Sequence, residues 1–190
     1  MNAFSPDVKV ARHLNHIEFV HRPGERALVR EFFELLGVTA QDAGGGRWLI
    51  GVLDPITYNN VDNIVAGSEV RPEQWAFDQA LAEALRHEPL ASKFAAHQEM
   101  LTANPQSGMH FGIRLVSADE WDATVQRIRD IETHAPALAG RVRLCGAFYP
   151  DQPGALATTV RQAFIWTDLI ASGSLALGQR IELQVRQPQP

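Results

Sequence analysis

The sequence predicts an α+β fold in which one strand–helix unit occurs twice, with a helical segment between the copies. Three observations carry this. Residues 14–20 and 109–115 both alternate apolar and polar positions, as half-buried strands do. Each run is followed by apolar residues at helical spacing. After the second copy come three further strand-like runs.

In the first copy, Asn15, Ile17 and Phe19 share one strand face, and His16, Glu18 and Val20 the other. A turn at Pro23-Gly24 leads to Leu28, Phe32, Leu35 and Leu36, the stripe of an amphipathic helix, with Gly37 as its C-terminal stop. In the second copy, Met109, Phe111, Ile113 and Leu115 oppose His110, Gly112 and Arg114. Ser117 stands three residues before Glu120, the spelling of a capping box, and Trp121, Val125 and Ile128 repeat the helical stripe. The histidines lie 94 residues apart, 16 to 110, and the stripes 93, 28 to 121. Agreement in strand phase, turn and helix phase is stronger than any one of these signals.

Residues 141–149, 158–170 and 179–185 read as strands, so the second copy is β-α-β-β-β. In the first of these runs Val142, Leu144 and Phe148 oppose Arg143, Cys145 and Tyr149; in the last, Ile181, Leu183 and Val185 oppose Arg180, Glu182 and Gln184. In the first copy only 38–43 and 47–53 follow as short strands, around Gly44-Gly-Gly46. Residues 72–87 and the run from Leu90 to Leu101 read as helices, divided by Pro89. The expected organisation is an incomplete βαβββ-type module over 1–55, a helical insertion or lid over 56–107, a second βαβββ module over 108–187 and a disordered tail over 188–190. Gly67-Ser68 and Asn104-Pro105 are the expected hinges of the insertion.

Of the 190 residues, 45% are hydrophobic and 21% charged, which suits a packed core. The net charge is −5 and the pI about 5.8. No run of Lys or Arg occurs, which argues against a nucleic-acid partner. No apolar stretch approaches the roughly 20 residues that span a bilayer, so no membrane partner is expected. Met1 to Asp7 lacks the charge and apolar runs of a secretory leader. Cys145 stands alone, so no intrachain disulfide can form, and the expected compartment is the cytoplasm.

The chemistry concentrates in His16, His110 and Glu182. Each lies on the polar face of a strand whose other face suits a helix, so all three should point into the concavity of the sheet. Two imidazoles and one carboxylate with open positions suit Fe(II), Mn(II) or Zn(II), and the open positions admit substrate oxygens.

Asn15-His16-Ile17-Glu18-Phe19, with a helix ending in Leu35-Leu36-Gly37, resembles the opening of a module of the vicinal oxygen chelate superfamily. Met109-His110-Phe111-Gly112-Ile113 resembles the start of its second module. Gly178-Gln-Arg-Ile-Glu182-Leu-Gln184 is similar to its closing strand, where the family keeps a carboxylate ligand. The resemblance covers about 14–54 and 109–187. It implies paired βαβββ modules forming a curved mixed sheet around a metal cleft, with His16, His110 and Glu182 as ligands. The superfamily includes glyoxalases, extradiol dioxygenases, epimerases and bleomycin resistance-type binders. The sequence departs from it in two places. A fourth ligand late in the first module has only Gly51 or Asp54 to match it, and 141–170 holds no histidine to match the second-module histidine of extradiol enzymes.

Other polar residues each carry a plainer reading beside the functional one. Arg114, Arg143 and Tyr149 are candidate substrate-orienting groups, and Arg114 could equally pair with Glu18. Cys145 is a candidate nucleophile or a small buried filler. His13 and His21 are out of phase with His16. His87 and His97 fall in the insertion, as surface residues or as proton-handling groups of a closing lid. His134 reads as a solvated loop residue.

The leading expectation is a divalent-metal-dependent enzyme of glyoxalase or dioxygenase type, acting on a small oxygenated metabolite held through vicinal oxygens. The alternative is a metal-free, antibiotic-type small-molecule binding protein on the same fold. A homodimer is left open as a further partner.

Overall fold

A computed structural model describes residues 15–53, 63–150, 152–153, 155 and 158–186. Among the described residues the chain is mixed α+β, with two mixed sheets and no closed barrel. The first half runs β1 (His16–His21), α1 (Arg26–Leu35), β2 (Thr39–Ala43), β3 (Trp48–Val52) and β4 (Ile64–Glu69). The helices α2 (Pro72–Ala84) and α3 (Leu90–Ala103) follow. The second half runs β5 (His110–Arg114), α4 (Ala118–Arg129), the short α5 (Ile131–His134), β6 (Val142–Phe148), β7 (Val160–Thr167), β8 (Ile170–Ala171) and β9 (Gln179–Arg186).

The first sheet has the order β2-β3-β4-β1-β8, with β1 parallel to β4. The second has the order β5-β9-β7-β6, with β5 parallel to β9. The short β8 returns from the second half to pair with Val20 and His21, joining the halves through backbone hydrogen bonds.

One apolar core serves both halves. Ile17 and Phe19 of β1 pack with Phe32 and Phe33 of α1; Ile113, Ile181 and Leu183 pack with Trp121, Val125 and Ile128 of α4; all belong to one cluster. The Trp121 indole donates to Leu183 O at 3.0 Å, tying α4 to β9. Ser117 Oγ accepts from Glu120 N at 3.1 Å, and the Glu120 carboxylate accepts from Val116 N at 2.9 Å, so the capping pattern forms at the start of α4. With both helices on one side, the polar strand positions lie on the opposite face of each sheet.

The expected helical insertion begins later than residue 56. Ile64–Glu69 is a strand that hydrogen-bonds along β1 and β3, and helix starts at Pro72. Gly67 and Ser68 lie within β4, opposite Phe19 and Val20, and are not a hinge. The remaining insertion divides in two. Helix α2 reaches the segment after β8, where the Ser174 hydroxyl donates to Asp78 Oδ1 and Trp75 packs near Leu175. Helix α3 lies near the inner face of the second sheet, where Gln98 Oε1 accepts from Arg180 Nη2 at 3.4 Å. No helix among the described residues is long and apolar enough to cross a membrane.

Candidate functional site

The second sheet presents its polar face as rows running across the strands. Register pairs Arg143 with Trp166, Trp166 with Arg180 and Arg180 with His110. The next row holds Gly146, Phe164, Glu182 and Gly112. A third holds Phe148, Gln162, Gln184 and Arg114. Side chains on one face alternate along each strand, so these rows form one surface.

Glu182 is at its centre, with a side chain only 6% exposed. Its Oε1 accepts from Gln162 Nε2 at 2.6 Å and Gln184 Nε2 at 2.8 Å. Its Oε2 lies 3.3 Å from His110 Nε2. The His110 ring is placed edge-on to Phe164, centroids 5.3 Å apart, and its Nδ1 is 2.7 Å from Gly108 O. A carbonyl oxygen can only accept, so Nδ1 carries the proton. In the neutral ring Nε2 then bears a lone pair, and that lone pair faces a carboxylate oxygen. Two such atoms at this distance call for a shared cation, either a proton on Nε2 or a metal ion.

The spacing fits a metal. Imidazole and carboxylate ligands about 2.0–2.2 Å from one ion, at angles between square and tetrahedral, stand roughly 2.8–3.6 Å apart. A backbone carbonyl on Nδ1 and amides on the second carboxylate oxygen are the outer partners that orient metal ligands. Gly112 adds to this: a Cβ there would lie 3.7 Å from Glu182 Oε2, so a larger side chain would occupy the approach to the carboxylate.

The expected third ligand is not gathered. His16 begins β1 of the first sheet with an exposed side chain. Among the described residues no group of three or more His, Cys, Asp or Glu side chains is close enough to hold one ion. Strand phase put His16 on the face opposite α1, but phase sets a direction, and the distance between two sheets is set by the packing of the helices behind them. The Asp54 region and His13 lie outside the described residues.

The candidate orienting residues separate. Arg143 is on the inner face, its guanidinium carbon 5.1 Å from the centroid of the Trp166 ring. Arg114 is exposed at the end of β5. Tyr149 is a correction. It packs edge-on against Trp121 of α4, centroids 5.3 Å apart, and its hydroxyl donates to Asp122 Oδ1. The register of β6 against β7 shifts between Leu144 and Gly146, which leaves Cys145 as an extra residue. A bulge of this kind inverts the alternation beyond it. Phe148 therefore joins the inner face, where it meets Phe164, and Tyr149 turns to the helices. Cys145 is half-buried, with Sγ 3.9 Å from Arg143 O. His87 pairs with Glu83 at 2.8 Å, exposed after α2, and His97 is exposed on α3. His21 is the last residue of β1 and is buried.

Sequence reasoning singled out neither Gln162 and Gln184, which hold Glu182, nor Arg180. The signal existed for two of them, since Arg180 and Gln184 flank Glu182 at spacing two on the same strand. Burial pulls the Arg180 guanidinium below its ordinary pKa, against the opposing effect of Cys145 and with a smaller contribution from the neighbouring Arg143 charge.

Beside Arg143 and Trp166, the inner face and α3 enclose a cavity of about 590 Å³. Phe94, Gln98 and Glu99 of α3 form one wall, and Leu177 closes the side after β8. No family model matches the sequence, and no curated protein matches it.

Proposed function

We propose that this chain is a divalent-metal-dependent enzyme of the vicinal oxygen chelate type, acting on a small oxygenated molecule at the inner face of the second sheet. The observation that carries the reading is the His110–Glu182 pair: two lone-pair atoms 3.3 Å apart, each oriented by hydrogen bonds on its other side. His110 Nε2 and Glu182 Oε2 would hold the ion, and Fe(II), Mn(II) and Zn(II) all accept this donor pair. When bound, such an ion supplies Lewis acidity to substrate oxygens.

The strand order also supports the reading. Each half runs β-α-β-β-β with its first strand parallel to its last, and His16 and His110 are the opening residues of equivalent strands. We read the halves as two copies of one module. The protein's own groups have distinct tasks. The amides of Gln162 and Gln184 aim the Glu182 carboxylate. Gly108 O holds the His110 ring in the tautomer that presents Nε2. Helix α3 acts as a wall that limits water at the neighbouring cavity. The alternative, a metal-free binding protein on the same fold, is favoured by the gathering of two ligand-type side chains rather than three among the described residues.

Metal analysis of protein purified without chelator decides between them. The enzyme reading expects close to one transition-metal ion per chain, lost in both His110→Ala and Glu182→Gln while circular dichroism stays unchanged. A folded protein that binds no Fe(II), Mn(II) or Zn(II) at micromolar concentration leaves the binding-protein reading.

A further inference from the structure

Among the described residues, Arg180 is a buried cation without a counter-charge. It is 8% exposed, and among the described residues it pairs with no carboxylate. Its Nε is buried with no hydrogen-bond partner. Its Nη2 reaches only the neutral Gln98 Oε1, at a long 3.4 Å. Of its charged neighbours, Cys145 favours the cation and Arg143, of like sign, opposes it by less. A buried cation without a counter-charge is costly, and an anion that enters such a site offsets that cost.

Arg143 points the same way. Its guanidinium lies over Trp166, which leaves the edge N–H donors directed elsewhere, and among the described residues it has no ion pair. Trp166 stands between the arginines in the strand register. The cavity beside Arg143 is walled mainly by Phe94, Trp166 and Leu177, is also lined by Gln98, and lies within the size range of small-molecule sites. Glu99, exposed on α3, is the carboxylate on its wall. That negative charge opposes a dianion more than a monoanion.

We propose that this cavity binds a carboxylate carrying an apolar body, the anion on Arg143 at the side where Gln98 separates the cavity from Arg180, and the body against Trp166, Phe94 and Leu177. The fork geometry of a guanidinium suits a carboxylate. Arg180 is the register partner of His110, so the cavity neighbours the strand pair that carries His110 and Glu182. The inference rests on the proposed function only in calling this molecule the substrate; the binding itself does not need a metal.

The test is ligand-observed NMR of phenylacetate, phenyl phosphate and neutral phenylacetamide with chelator-treated and untreated full-length protein. Phenylacetate is expected to bind at least tenfold more tightly than phenylacetamide in both preparations. Arg143→Gln, at an exposed position, should fold normally and weaken phenylacetate at least tenfold while leaving phenylacetamide unchanged. Arg180→Lys should do the same, and if that variant fails to fold, Arg143→Gln alone decides. Equal binding of acid and amide, indifference to Arg143→Gln, or binding of phenyl phosphate without phenylacetate overturns the proposal. Intact metal content with no carboxylate binding sinks this inference alone; carboxylate binding with no metal sinks the enzyme reading alone.

Discussion

Gly67 of β4 lies directly under the ring of Phe19 on β1: a β carbon at position 67 would come within 2.0 Å of the Phe19 ring. The ring occupies the space that a side chain on β4 would need, and its other side meets Phe33 of α1, centroids 5.4 Å apart. This contact seats the helix on the parallel pair at the centre of the first sheet. Gly67→Ala should therefore destabilise the protein by at least about 1–3 kcal/mol, the usual cost of overpacking. Urea denaturation measures it, and adding Phe19→Leu should recover part of the loss. Additive effects of the two changes would show that the contact is not shared.

Asp168 accepts from Arg22 Nη2 at 2.9 Å and from Arg141 Nε at 2.6 Å, and Arg141 continues to Glu25 at 2.8 Å. Arg22 and Glu25 belong to the connection between β1 and α1; Arg141 and Asp168 flank β6 and β7. The network thus clamps the two halves beside β8. Asp168→Asn leaves two half-buried guanidinium groups short of a partner, and a cost of about 1–3 kcal/mol is expected, between exposed and fully buried pairs. Thermal unfolding should show the loss, and it should shrink in an Arg22→Met background.

The Ser117 cap is local and separable. Ser117→Ala removes the acceptor for Glu120 N and should cost about 0.5–2 kcal/mol. Because α4 lies on the far side of the sheet from His110 and Glu182, metal content and ligand binding should stay at wild-type values. A change in either would tie the helix start to the site.

Tyr149 and Arg143 should behave oppositely although they sit on one strand run. Tyr149→Phe loses a hydrogen bond to Asp122 and about 0.5–1.5 kcal/mol of stability, with no effect on ligand binding. Arg143→Gln should leave stability nearly unchanged and weaken anionic ligands. The reverse pattern in binding and melting measurements would mean that β6 keeps its alternation through Cys145.

Much of this was legible because it is local. Alternation within β5 and β9 put His110 and Glu182 on the polar face, and the capping spelling at Ser117 and the stripe from Trp121 to Ile128 placed α4; each depends on neighbours along the chain. Strand β4 was hidden because Ile-Val-Ala-Gly-Ser-Glu contains residues poor in strand propensity, and its stability comes from pairing with β1, nearly fifty residues away. The bulge at Cys145 depends on how β6 meets β7, so the side chains beyond it, Phe148 and Tyr149, could not be assigned to a face from their own strand. His16 shows the same division. Its direction follows from the strand, but whether it meets His110 and Glu182 depends on how α1 and α4 pack against each other and set the two sheets. Where a strand runs without a bulge, direction is a property of the local backbone and was settled by the sequence alone; the bulge and the proximity of side chains are properties of strand pairing and the packed core and were settled only by the tertiary structure.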